Sequence, residues 1–149
     1  MKIRYAHTNI VAHNWRSLAK FYMTVFDCTE KLPERDLSGS WLDVLTGINN
    51  AHINGIHLLL PGFGQNGPTL EIFQYNKNEK NDHKDINREG LGHIAFSVED
   101  VEVCLKKVRE HGGTTVGETI KTEIDGVGKI HVVYAKDPED NIIEIQKWE

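Results

Sequence analysis

The sequence predicts an α+β fold of two βαβββ modules, and three observations carry that prediction. The strand and helix patterns of the first half recur in the same order in the second. A polar stretch separates the halves, and each half is too strand-rich to bury both a sheet face and a helix alone. Together they would close a curved sheet around a shared cavity, with the helices outside. The 149 residues are therefore read as one domain, with modules at 1–75 and 91–149 and a polar linker at 76–90.

Each module opens on a short strand. The first is Ala6 to Val11. The second is Gly92 to Val98, where Ile94, Phe96 and Val98 share one face and His93, Ala95 and Ser97 the other. A helix follows in each. Leu18, Phe21, Tyr22 and Val25 have the i, i+3, i+4, i+7 spacing, and so do Val101, Cys104, Leu105 and Val108. Asn14 and Asp100 stand as N-caps, and Gly112-Gly113 stops the second helix. Three strands complete each module. They are expected at Trp41–Leu45, Gly55–Leu60 and Thr69–Tyr75, and at Thr114–Val116, Lys129–Tyr134 and Asn141–Trp148. Turns fall at Pro61-Gly62, Asn66-Gly67-Pro68 and Asp137 to Asn141. Within the linker, Asn76 to Gly90 holds one large apolar residue, Ile86.

Composition narrows the function classes. The net charge is −5 without a basic block, which argues against a general nucleic-acid or anionic-membrane binder. The longest apolar run, Ile56 to Pro61, is too short to span a bilayer, and MKIRYAHTNIV lacks a signal-peptide core. Two cysteines, Cys28 and Cys104, lie on apolar helical stretches and read as reduced core thiols. These features suggest a cytoplasmic protein.

Glu71 and Glu144 stand between large aliphatics, in Leu70-Glu71-Ile72 and Ile143-Glu144-Ile145. A buried carboxylate is costly unless it is paired or binds a metal. His7 and His93 begin the first strand of each module and, by alternation, share the faces of these glutamates. Singly, a strand histidine reads as a hydrogen-bonded structural residue and a strand glutamate as a solvated one. Four in repeat-equivalent positions point instead to one divalent metal, Zn, Ni, Co, Mn or Fe.

The phrases HTNIVAHNWRSLAKFY, GPTLEIFQY, GLGHIAFSVEDVE and AKDPEDNIIEIQ resemble the vicinal-oxygen-chelate superfamily. That family includes glyoxalase I, methylmalonyl-CoA epimerase, extradiol dioxygenases and bleomycin- or fosfomycin-resistance proteins. The resemblance implies paired βαβββ modules forming a cupped mixed sheet around a metal-binding cavity, a homodimer, and metal ligands at His7, Glu71, His93 and Glu144. A His-Glu-His-Glu set is similar to that of bacterial glyoxalase I, whose members commonly carry an arginine soon after the first histidine. Here that stretch is Asn9 to Ala12, with Arg16 only later. Epimerases typically have glutamine where Glu71 stands. Extradiol dioxygenases use two histidines and one glutamate, and the bleomycin-binding branch often lacks the metal set.

The leading expectation is a metal-dependent lyase or isomerase acting on a small molecule, at a carbon next to a carbonyl. A glyoxalase-like enzyme stands ahead of an epimerase, and a non-catalytic binder and an iron-dependent dioxygenase are the contrasting classes. The resemblance places the mobile base at Glu144, with Glu71 able to act from the other face. Arg35 is a candidate anchor for an anionic substrate, in a Pro33 to Gly39 stretch expected to cover the site. Trp41, Phe73, Tyr75 and Trp148 are candidate pocket aromatics. His57 is a candidate pocket residue, although His57 and His131, both in apolar strands, read first as structural histidines. His13, His52, His83 and His111 are expected at the surface.

Overall fold

Period-two alternation sets the architecture of each half. The computed structural model describes residues 1–82 and 84–149, which divide into two units, Met1–Lys80 and Asn81–Glu149. His83 lies outside the described residues. The first unit runs β1 (His7–Val11), α1 (Trp15–Phe26), β2 (Thr29–Ser38), α2 (Ser40–Thr46), β3 (His52–Leu59) and β4 (Thr69–Tyr75). Its sheet has the order β1-β4-β3-β2, with β1 parallel to β4 and the other pairs antiparallel. The second unit runs β5 (Ile94–Ser97), α3 (Val101–Glu110), β6 (Thr114–Thr115), β7 (Ile120–Ile124), β8 (Gly128–Lys136) and β9 (Ile142–Trp148). Its order is β5-β9-β8-β6, with β7 also on β8 and β5 parallel to β9. Among the described residues no helix is long and apolar enough to cross a membrane.

Both long helices begin as their caps direct. Asn14 accepts from Ser17 N at 3.1 Å, and Asp100 from Val103 N at 3.0 Å. The apolar stripe of α1 is buried on β3 and β4, whose Ile56, Leu58, Leu70 and Ile72 are almost wholly covered. In the second unit α3 packs on β8 and β9, burying Val101, Cys104, Leu105 and Val108 with Val133, Ala135, Ile143 and Ile145. Each fully buried aliphatic of this kind contributes about 1.5–3 kcal/mol. One face of each sheet is thereby committed to its helix. The opposite face carries Glu71 or Glu144.

One local expectation fails, and two edge strands carry no signal in the sequence. Trp41–Leu45 is not a strand; it lies in α2, where only Leu42 is buried and Trp41, Val44 and Leu45 are exposed. Asp43 ties this helix to the turn leading into β3 by accepting from Asn50 N and Ala51 N at 3.0 and 2.9 Å. Pro33 to Ser38, in the stretch expected to cover the site, belongs to β2, the strand that takes the edge position. As a mostly exposed edge strand it needs no apolar alternation. Its register shift between Lys31 and Arg35 accommodates Pro33. In the second unit the corresponding edge is broken in two, β6 and β7, and β7 shows no apolar alternation because all five residues are exposed.

The face of the first sheet opposite α1 also has a small apolar cluster, in which Leu42, Ala51, Ile53 and Phe73 pack with Leu37 and Tyr75. Phe73 on β4 pairs with Gly55 on β3, and a Cβ at Gly55 would stand 2.2 Å from Ile72 O and 2.5 Å from the Phe73 ring. Gly55→Val is therefore expected to destabilise the fold by about 1–3 kcal/mol, read as a lower urea midpoint.

Both cysteines are free and buried, and burial pushes the Cys28 thiol up to about 12. Iodoacetamide at pH 8 should leave Cys28 unlabelled in the native protein and label it once urea unfolds the chain.

Candidate functional site

The free face of the first sheet gathers its polar residues around Glu71. On β1, Asn9 lies beside Glu71 in register and His7 is two residues earlier. On β3, His57 lies directly opposite Glu71. Both carboxylate oxygens are engaged. Asn9 Nδ2 donates to Oε1 at 2.8 Å, and His57 Nε2 stands 2.8 Å from Oε2. His7 Nε2 is 3.7 Å from Oε1. The other nitrogen of His57, Nδ1, meets Thr69 Oγ1 at 2.9 Å. The Glu71 side chain is only 11% exposed, so these partners offset a burial that would otherwise be costly. Burial is the main reason the His57 imidazole lies below its usual range. Arg35, His7 and Lys31 push it the same way, and Glu71 opposes them.

The second unit repeats the plan with two changes. His93 precedes Ala95, and Ala95 pairs with Glu144 as Asn9 pairs with Glu71. Tyr134 on β8 lies opposite Glu144, where the first unit has His57. His93 Nε2 is 3.0 Å from Glu144 Oε2, and the His93 and Tyr134 rings meet edge to face at 5.2 Å. The Tyr134 phenol is raised by burial, then by its hydrogen bond to Glu144 and the charge there. Ala95 offers no side-chain donor, so Glu144 lacks the holder that Asn9 provides for Glu71.

The remaining candidates fall in different places. Phe73 shares the Glu71 face, with its ring 5.8 Å from His57. Arg35 lies opposite Gly55 on that same face, and its guanidinium donates to Pro33 O. Trp41 is on α2 and 53% exposed, away from any strand face. Trp148 is exposed at the end of β9, its indole donating to Gln146 Oε1 at 2.8 Å. His131 Nε2 is buried without a hydrogen bond, 3.6 Å from Glu102 Oε1. His13, His52 and His111 are exposed. His57 faces Glu71 across the β3–β4 pair. The signal for this lies in the hairpin, because His57 and Glu71 stand seven residues either side of Gly64.

His7, His57 and Glu71 offer ligand atoms that all lie within 4.8 Å of one another. Two imidazole nitrogens and a carboxylate oxygen at that spacing suit a divalent first-row metal.

A family model for the Glyoxalase/Bleomycin resistance protein/Dioxygenase superfamily matches residues 4–145, and the chain belongs to that superfamily. Solved structures show the same fold. A glyoxalase-family protein from Bacillus cereus superposes with a TM-score of 0.85 at 18% identity, covering 99% of this chain and 95% of that one. The trypanothione-dependent glyoxalase I of Leishmania major gives 0.66 at 21% identity, covering 98% and 87%. The fosfomycin resistance protein FosX of Listeria monocytogenes, solved with Mn(II) and sulfate, gives 0.55 at 13%, covering 99% and 93%. No curated protein matches the chain in sequence.

Replacing Asn9 by Ala removes the donor that orients Glu71 Oε1. Divalent-metal affinity should fall about 10–100-fold while the melting temperature stays close to wild type. Equilibrium dialysis beside thermal unfolding checks this.

Proposed function

We propose that this protein is a divalent-metal-dependent lyase or isomerase of glyoxalase-like type, acting at a carbon next to a carbonyl. The observation that carries the reading is the unequal holding of its two glutamates. Glu71 is fixed through both oxygens by Asn9 and His57, as suits a permanent ligand. Glu144 has Ala95 where Asn9 would be, and its partners are two side chains able to exchange protons, His93 and Tyr134. His7, Glu71, His93 and Glu144 are the side chains proposed to hold the metal, which when bound supplies Lewis acidity to a substrate carbonyl.

In this reading a Glu144 oxygen takes the proton from the carbon beside the carbonyl and returns it to the product. Glu71 stays in place and keeps its hydrogen bonds. Lys31 and Arg35 stand opposite His57 and Gly55 on the face that bears Glu71, which supports an anionic small-molecule substrate. A cytoplasmic homodimer belongs to the same proposal.

The test is a panel of hemithioacetals and acyl-CoA epimers assayed with several divalent metals. Glu144→Gln is expected to lower kcat by about 10²–10⁴ while retaining most of the bound metal. Loss of metal in proportion to activity would overturn the separate base role. His7→Ala should lose the metal itself.

A further inference from the structure

We propose that the exposed face of α2 is the surface through which two copies of this chain associate. This rests on the proposed homodimer and assigns it a surface. Trp41, Val44 and Leu45 stand at i, i+3 and i+4 on one side of α2, and Ile48 follows just beyond its C-cap, Gly47. They are 53, 85, 73 and 43% exposed. The rest of the helix is already engaged. Leu42 is buried with Ala51, Ile53 and Phe73, and Asp43 holds the backbone N–H groups of Asn50 and Ala51. The helix therefore cannot turn its apolar residues inward without giving up those contacts.

Area and charge together select the occupant. The four side chains leave on the order of 500 Å² in water, at the upper end of the largest apolar patch a monomer carries. Covered by the same patch across a twofold axis, they account for about 1,000 Å² in total, the size at which a specific interface begins. The neighbouring edge strand β2, mostly exposed along its ten residues and paired on one side by β3, lies beside α2 to extend the contact. Asp43 is the single charged residue of α2, and it is bound within the unit. Two identical faces can thus meet without like-charge repulsion, as a self-complementary contact requires. A helix that lies on a membrane carries Lys or Arg on its polar face. Here α2 has neither, and the chain has a net charge of −5. A second copy is the occupant that these features fit.

The test is sedimentation equilibrium of the full chain across the micromolar range. The wild type should be dimeric. Leu45→Glu should weaken the dimer at least about 100-fold with an unchanged far-UV spectrum, because each dimer would bury two unpaired carboxylates. Should Leu45→Glu disturb the helix, Val44→Lys, at its most exposed position, gives the same reading. In a Trp148→Phe background the remaining tryptophans are Trp41 and the buried Trp15, so acrylamide quenching should fall as the dimer forms. A dimer that survives both substitutions, or quenching that does not change on association, overturns the α2 surface and leaves the proposed homodimer standing. A monomeric wild type overturns both. The lyase or isomerase reading is decided separately, by metal content and activity, and none of these outcomes bears on it.

Discussion

Burying a carboxylate in the middle of a sheet is the constraint on which the rest of this structure depends. Glu71 lies between Leu70 and Ile72, both committed to the face covered by α1. The strand period leaves Glu71 no direction but the opposite face. There it must find donors or a cation. The parallel pairing of β1 brings Asn9 and His7, and the β3–β4 hairpin brings His57. Each partner is thus a product of sheet register, and the register is held in turn by the apolar residues on the other side.

The same constraint explains why the two units are alike without being equivalent. Both place a His–Glu pair by the same parallel strand pairing. They differ at the neighbours, Asn9 against Ala95 and His57 against Tyr134. Substituting those neighbours leaves the sheets in register, yet it changes how tightly a carboxylate is held. Function can therefore diverge between the units with little effect on the fold.

Much of the fold could be read in the residues because burial leaves a period. The stripes of α1 and α3, the alternation of β5 and the aliphatics of β4 and β9 all face something that must exclude water. The misread segments face solvent. β2 and β7 are edge strands with few or no buried positions, so no alternation marks them. In α2 the apolar residues Trp41, Val44 and Leu45 are exposed, and their density suggested a strand that is not there. At the site, the repeat singled out His7, Glu71, His93 and Glu144. The partner His57 has no repeat counterpart of its own type. Only strand pairing across the hairpin brings it to Glu71.

The hairpin that joins His57 to Glu71 also sets where the chain can change length. A residue inserted within β3 or β4 would reverse the faces beyond it, turning Glu71 toward α1 and an aliphatic toward the polar face. Residues added between Leu60 and Pro68, outside the paired segment, would leave the His57–Glu71 register untouched. Loop length in this hairpin is thus free to vary and to reshape the approach to the site. The strands on either side cannot shift by a single residue without losing both the site and the buried face that packs on α1.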